Sequence, residues 1–291
     1  MSEPIGVIGL GVMGSAMARN LMEAGHEVLG FDIDSARVSS FADIGGEPAK
    51  SADEIAALSD LVIFSLPTTA ALASVAAEIA EQDRPGLVCL EMGTFPLQDK
   101  IAARDVLAGG GVDLMDVPLS GTGLQAADAT LVVFASGSRE GFEKARPIFD
   151  AIGRSTHFLG EFGNGSKMKY VANLLVAVHG LAAAEAHALG IAAGLDPALV
   201  QKVMEDGVGS SKIFEIRGPM MVADDYPPAA RLDILLKDST IIRDFARSVG
   251  APTPLLDSAV PIYEASSAAG LGDFDAAALC RYLEDLGGLE R

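Results

Sequence analysis

Gly163-Asn164-Gly165-Ser166-Lys167-Met168-Lys169-Tyr170-Val171-Ala172-Asn173, with the apolar run that continues to about Gly194, separates two kinds of sequence. Ahead of it, short apolar runs alternate with helical stretches; behind it the pattern is almost wholly helical. The two glycines make a turn, and Ala, Leu and Met then favour helix for some eight turns. A helix of that length can leave one domain and form the spine of the next. Lys169 and Asn173 are four residues apart and share a face, whereas Lys167 points elsewhere. A cation in a first helical turn sits badly with the positive end of the helix dipole, a placement that suits a proton donor. The plainer reading of both lysines is a solvated first turn.

Upstream, the expected strands are residues 4–9, 27–31, 61–66, 87–91, 112–117, 131–135 and 156–159, with helices at 12–24, 70–81, 97–108 and 140–151. Such alternation implies an α/β fold whose sheet has parallel strands at its centre and helices on both faces. From residue 163 onward no strand pattern appears. The expected organisation is a domain at residues 1–162 and an all-helical domain at 163–291, with residues 163–194 as the linking helix.

The chain has 291 residues, enough for two domains with ample cores. Its net charge of −19 disfavours nucleic acid and anionic membrane surfaces as partners. Two cysteines, Cys89 and Cys280, make no disulfide framework, and a reducing, cytoplasmic setting is the expectation. Strand-like sequence begins within four residues of Met1, so no signal peptide is expected. The run from 171 to 195 carries His179, Glu185 and His187, and it reads as a helix buried on nearly all sides rather than a membrane span.

The first strand runs into Gly9-Leu10-Gly11-Val12-Met13-Gly14, a G-x-G-x-x-G followed by an amphipathic helix. Asp32 closes the second strand 18 residues after Gly14. Alone the glycine pattern is weak; in this context it points to a dinucleotide whose pyrophosphate meets a helix N-terminus. A carboxylate at Asp32 accepts ribose hydroxyls and repels a 2′-phosphate, favouring NAD over NADP, although Arg37 could reach back toward the ribose. Leu66-Pro67-Thr68 and Gly93-Thr94 leave strand ends that should face the cofactor, with polar capping as the plainer reading. Asp116-Val117-Pro118-Leu119-Ser120-Gly121-Thr122-Gly123 ends a strand in a hydroxyl and glycines whose backbone N–H groups could cradle a carboxylate.

Together with Leu236-Lys237-Asp238, these motifs resemble the β-hydroxyacid dehydrogenase family, which includes 3-hydroxyisobutyrate and 6-phosphogluconate dehydrogenases, over nearly the whole chain. The resemblance implies a Rossmann-type domain joined to a helical one by the long helix, and a homodimer or homotetramer. It implies Lys169 as the catalytic general acid/base with Asn173 as its partner. Ser120, Gly121 and Thr122 would hold the carboxylate of a small substrate, and Asp238 would lie in the substrate pocket. Gly9, Gly11, Val12, Met13, Gly14, Asp32, Leu66, Pro67, Thr68, Thr94 and Lys237 would contact the dinucleotide, with Thr94 near the nicotinamide. The implied reaction interconverts a small β-hydroxyacid and its semialdehyde or keto form without a metal.

Thr122 stands where many members have Gly, Ala172 where many have Asn or His, and Ala230 where several reductases of small aldehydes have Phe. These changes leave open a glyoxylate or succinic semialdehyde reductase using NADPH, an imine reductase, or a binding module without turnover. Retained Lys169 counts against the imine reductase. Arg231 could meet a second anionic group, but reads better as a solvated helix start. His179, Glu185 and His187 do not converge on a metal. Glu284 and Asp285 read as a solvated helix face.

Overall fold

A computed structural model of the chain describes residues 3–289, in two compact units that divide between Lys169 and Tyr170. In the first, the order is β1 (Ile5–Ile8), α1 (Val12–Glu23), β2 (Val28–Phe31), α2 (Ser35–Asp43), β3 (Glu47–Pro48), α3 (Ala52–Leu58), β4 (Leu61–Phe64) and α4 (Thr69–Ala80). There follow β5 (Val88–Glu91), α5 (Leu97–Gly109), β6 (Asp113–Asp116), β7 (Leu119–Ser120), α6 (Gly123–Ala127), β8 (Leu131–Ala135), α7 (Arg139–Lys144), α8 (Arg146–Ile152) and β9 (Gly153–Phe158). Helix α9 (Asn164–Ala192) crosses the division.

Strands β1 to β6 form one parallel sheet in the order β3-β2-β1-β4-β5-β6, the doubly wound arrangement expected of a Rossmann-type unit. Successive side chains take opposite faces. Ile63 joins the cluster packed on α1, α7 and α8, while Val62 and Phe64 join the one packed on α3, α4 and α5. Burying both faces favours apolar strands, and β1 and β5 are fully buried, with Glu91 at the end of β5 the charged exception.

The alternating pattern implied a sheet; the structure has two. After β6 the chain turns at Val117-Pro118, and β7 pairs antiparallel with β8, which pairs parallel with β9. Bonds from Asp116 N–H to Ser136 O (2.9 Å) and from Ser136 N–H to Asp116 O (2.8 Å) join this small sheet to the end of β6. The helix expected over 140–151 is instead α7 and α8, because Pro147, with no N–H, cannot continue the ladder from α7. Helices α2 and α3 and the two-residue β3 were not marked in the sequence. All three are short; α2 and β3 are mostly exposed, whereas α3 buries Ala52, Ile55 and Ala56.

The second unit adds α10 (Pro197–Glu205), α11 (Lys212–Ala223), α12 (Leu232–Ser248), α13 (Pro254–Ser266) and α14 (Leu279–Gly287). No strand occurs there among the described residues. Tyr170, Ala177, Leu181 and Ala184 of α9 lie in its core with Leu235, Val260 and Tyr263. Helix α9 is long and apolar enough to cross a membrane, but these buried residues make it a core helix. It is not buried on all sides, since Val171 (60%), Leu175 (48%) and Leu189 (72%) are exposed. Glu284 also departs from expectation: it is buried and accepts a bond from Cys280 Sγ at 3.0 Å, so one side of α14 faces the core.

Tyr263 donates from its buried hydroxyl to Ala177 O at 3.0 Å, tying α13 to the middle of α9. Tyr263→Phe removes that single bond, and is expected to lower stability by about 0.5–1.5 kcal/mol. The urea midpoint should fall with the slope unchanged.

Candidate functional site

The turn between β1 and α1 shows why its glycines are needed. Gly9 has φ of +96°, and a Cβ there would lie 2.2 Å from Ser65 O. A Cβ on Gly14 would lie 1.8 Å from Gly9 O, so α1 packs directly on the turn. At Gly11 the nearest atom to such a Cβ is Arg37 Nη1 at 3.7 Å, and the space opens into a groove of about 370 Å³. Leu10, Gly11, Val12, Ser15, Ala36, Arg37 and Ser40 line it. Gly11 caps α1 without a side-chain bond, and the first turn has no acidic residue. The positive helix end thus has no counter-charge of its own and fits a pyrophosphate. Val12 is 76% exposed beside it, and Met13 packs partly against the core.

Asp32 is bonded to Leu10 and Arg37 of this lining. Its Oδ2 accepts from Leu10 N–H at 2.8 Å and its Oδ1 from Asp34 N–H at 2.9 Å, fixing the carboxylate to both loops. Arg37 does reach back: Nη1 lies 3.3 Å from Asp32 Oδ2 and Nε 3.5 Å from Asp34 Oδ2. Its charge is therefore shared between two acids at the place a ribose would occupy.

The ends of β4, β5 and β7 carry the remaining candidates in this unit. Leu66 packs against the core, Pro67 and Thr68 are exposed, and Thr68 Oγ1 caps α4 by accepting from Ala71 N–H at 3.1 Å. Thr94 is half-buried beyond β5. Ser120 is half-buried at the end of β7, and Gly121 follows with φ of +140°. Thr122 is already engaged. Its N–H donates to Gln125 Oε1 at 2.7 Å and its hydroxyl to the same oxygen at 2.6 Å, in a capping box that starts α6.

Lys169 is 8% exposed. Lys167 is exposed and donates to Asn164 Oδ1 at 3.0 Å, so the two lysines do differ as their spacing on the helix requires. Within the second unit, Asn173 Nδ2 donates to Asp238 Oδ2 at 2.8 Å, both residues being buried. Lys237 Nζ lies 3.1 Å from Asp238 Oδ1. Asn173, Asp238 and Lys237 thus form one polar line between α9 and α12. Arg231 starts α12 and pairs with exposed Asp273 at 2.6 Å. His187 is buried, bonded through Nδ1 to Ala183 O and stacked on Phe214. Among the described residues no three of His, Cys, Asp and Glu gather as a metal site would need.

The sequence reading passed over Lys100. It is wholly buried, with Nζ 2.5 Å from Glu91 Oε2 and 2.8 Å from Asp116 Oδ1. Burial alone would depress its pKa, but the Asp116 and Glu91 carboxylates outweigh that and hold it above the usual lysine range. Burial pushes the Glu91 carboxyl up, against the opposing pull of Lys100. The available signal was Lys100-Ala103-Leu107, which puts a lysine on the core face of α5.

Comparison with known proteins covers both units. Residues 4–160 match the NAD binding domain of 6-phosphogluconate dehydrogenase, and residues 163–283 match the NAD-binding domain of NADP-dependent 3-hydroxyisobutyrate dehydrogenase. L-threonate dehydrogenase of Cupriavidus necator is 35% identical over 97% of this chain and 96% of its own. A crystal structure of 3-hydroxyisobutyrate dehydrogenase from Salmonella typhimurium superposes with TM-score 0.88 at 30% identity, over 97% of this chain and all of the other. The Mycobacterium tuberculosis 3-hydroxyisobutyrate dehydrogenase with L-serine also gives 0.88, at 29% identity over 97% and 99%. The glycine turn with Asp32, the Asp116-to-Gly121 strand end and the start of α9 therefore lie in a chain that belongs to the β-hydroxyacid dehydrogenase family, NAD(P)-dependent oxidoreductases acting on CH–OH groups.

Proposed function

We propose that this chain uses NAD to interconvert a small β-hydroxyacid with its semialdehyde or keto form, with Lys169 as general acid/base. The observation that carries the reading is the burial of Lys169 in the second turn of a helix whose start is bonded to Asp116, four residues before Ser120 in the chain. Ser120 and Gly121 hold the carboxylate through the hydroxyl and the exposed backbone. Lys169 takes up the proton of the substrate hydroxyl and stabilises charge on its oxygen during oxidation; in reduction it returns the proton. Asn173, one turn further along the same face, orients the reacting oxygen and is itself held by Asp238. The nicotinamide, when bound, supplies the hydride acceptor or donor. Thr94 and Lys237 contact the dinucleotide, as do Leu66, Pro67 and Thr68.

The substrate class follows the relatives, named for L-threonate and 3-hydroxyisobutyrate. The exposed apolar stripe of Val171, Leu175 and Leu189 supports pairing with a second copy as a homodimer or homotetramer.

NADH absorbance followed with L-threonate, 3-hydroxyisobutyrate, 3-hydroxypropionate, glycerate and serine, and with semialdehydes in reverse, identifies the substrate. On the best of these, Lys169→Ala is expected to lower kcat about 10²–10⁴-fold with NAD binding retained. Unchanged turnover would remove the assigned role. Asp32→Ala should weaken NADH more than NADPH in fluorescence titrations, because it removes the ribose acceptor and frees Arg37 for a 2′-phosphate. Equal weakening of both would count against NAD as the preferred cofactor.

A further inference from the structure

The wholly buried cluster of Lys100, Glu91 and Asp116 is larger than an ion pair needs to be. Lys100 Nζ donates to Asp116 Oδ1 at 2.8 Å and to Gly93 O at 2.7 Å, and makes an ion-pair contact with Glu91 Oε2 at 2.5 Å. From there the bonding runs outward along three arms.

The first arm holds Gly93 by both polar groups of its backbone. Glu91 Oε1 accepts its N–H at 2.8 Å while Lys100 takes its carbonyl, and Thr94 comes next in the chain. The second is Asp116 itself, which ends β6 four residues before Ser120 and is paired through its backbone to Ser136. The third grips the start of α9. Asp116 Oδ2 accepts from Ser166 N–H at 2.7 Å and Oδ1 from Ser166 Oγ at 2.8 Å, while Ser136 Oγ accepts from Gly165 N–H at 2.9 Å. These N–H groups have no acceptor within the helix. A Cβ on Gly165 would lie 2.4 Å from Phe134 O and 2.8 Å from Asp116 O, so the helix start is pressed onto the strand end.

Each arm ends beside a different part of the proposed site: Thr94, Ser120 and Lys169. Stability alone does not call for such an arrangement, since buried ionic groups can often be exchanged for apolar ones without loss. A cluster whose bonds go to loop and helix-start atoms sets where those atoms lie. We infer that Lys100, Glu91 and Asp116 are positioning residues for the reaction, holding the start of α9, and hence Lys169, in register with the Ser120 loop and the Thr94 turn. The inference rests on the role proposed for Lys169.

Asp116→Asn keeps the shape of the side chain but removes the charge that Lys100 and Ser166 share. Ser166→Ala is the milder variant, losing only the hydroxyl donor, and serves if the first does not fold. Both are compared with wild type for kcat, KM, dinucleotide Kd and melting temperature. A misplacement of about 1 Å can cost about 100-fold in rate, so Asp116→Asn should lower kcat by about that factor and Ser166→Ala by about tenfold. Dinucleotide Kd should stay within about twofold, because the glycine turn is untouched. In a Lys169→Ala background, Asp116→Asn should add little further loss, since the two changes act through one group. Wild-type kcat in the folded variants, while Lys169→Ala is inactive, would overturn the positioning role and leave the assignment of Lys169 standing. Full turnover by Lys169→Ala would overturn that assignment first.

Discussion

The amide protons of Gly165 and Ser166 are the constraint on which the proposed chemistry turns. A helix leaves its first N–H groups without internal acceptors, and an opening turn buried in protein cannot rely on water to satisfy them. Here the acceptors are side chains of other elements, Ser136 beyond β8 and Asp116 at the end of β6. An N-cap is usually local, drawn from the residue before the helix. Drawing it from strand ends ties the start of α9 to the sheet, in addition to the loop bonds from Asn164 to Leu159 O and Glu161 O.

The same choice creates an electrostatic demand. Asp116 is wholly buried, and a buried carboxylate needs a counter-charge as well as hydrogen bonds. Lys100 supplies it from α5 and lies in ion-pair contact with Glu91 as well. Removing one partner of such a group typically costs about 3–5 kcal/mol, because the others are left charged and uncompensated. At the same edge of the sheet, where β1 ends, the arrangement is reversed. The first turn of α1 carries no acid, so its positive end stays available for an anionic ligand.

The second unit has its own polar line in an otherwise apolar core. Asp238 receives Asn173 on one oxygen and lies near Lys237 on the other, which fixes the orientation of the Asn173 amide. Arg217 and Asp275 are a second buried pair, and Asp275 also caps the turn before α14 and accepts from Ala230 N–H. The bonds of Asp275 go to backbone of the same unit, consistent with a packing role.

Local patterns in the sequence were enough for the two kinds of unit, the glycine turn with Asp32 and the one long helix bearing Lys169 and Asn173. Each depends on contacts within a few residues or on a repeat of period two or 3.6. The division into two sheets, the capping duty of Thr122, the buried face of α14 at Glu284 and the Lys100 cluster depended on residues far apart in the chain. Glu91, Lys100, Asp116 and Ser166 span 75 positions and meet only when β5, β6, α5 and α9 come together. Spacing alone carries no sign of which distant partner satisfies a buried charge; that was decided by the tertiary structure, because charge compensation acts through space and not along the chain.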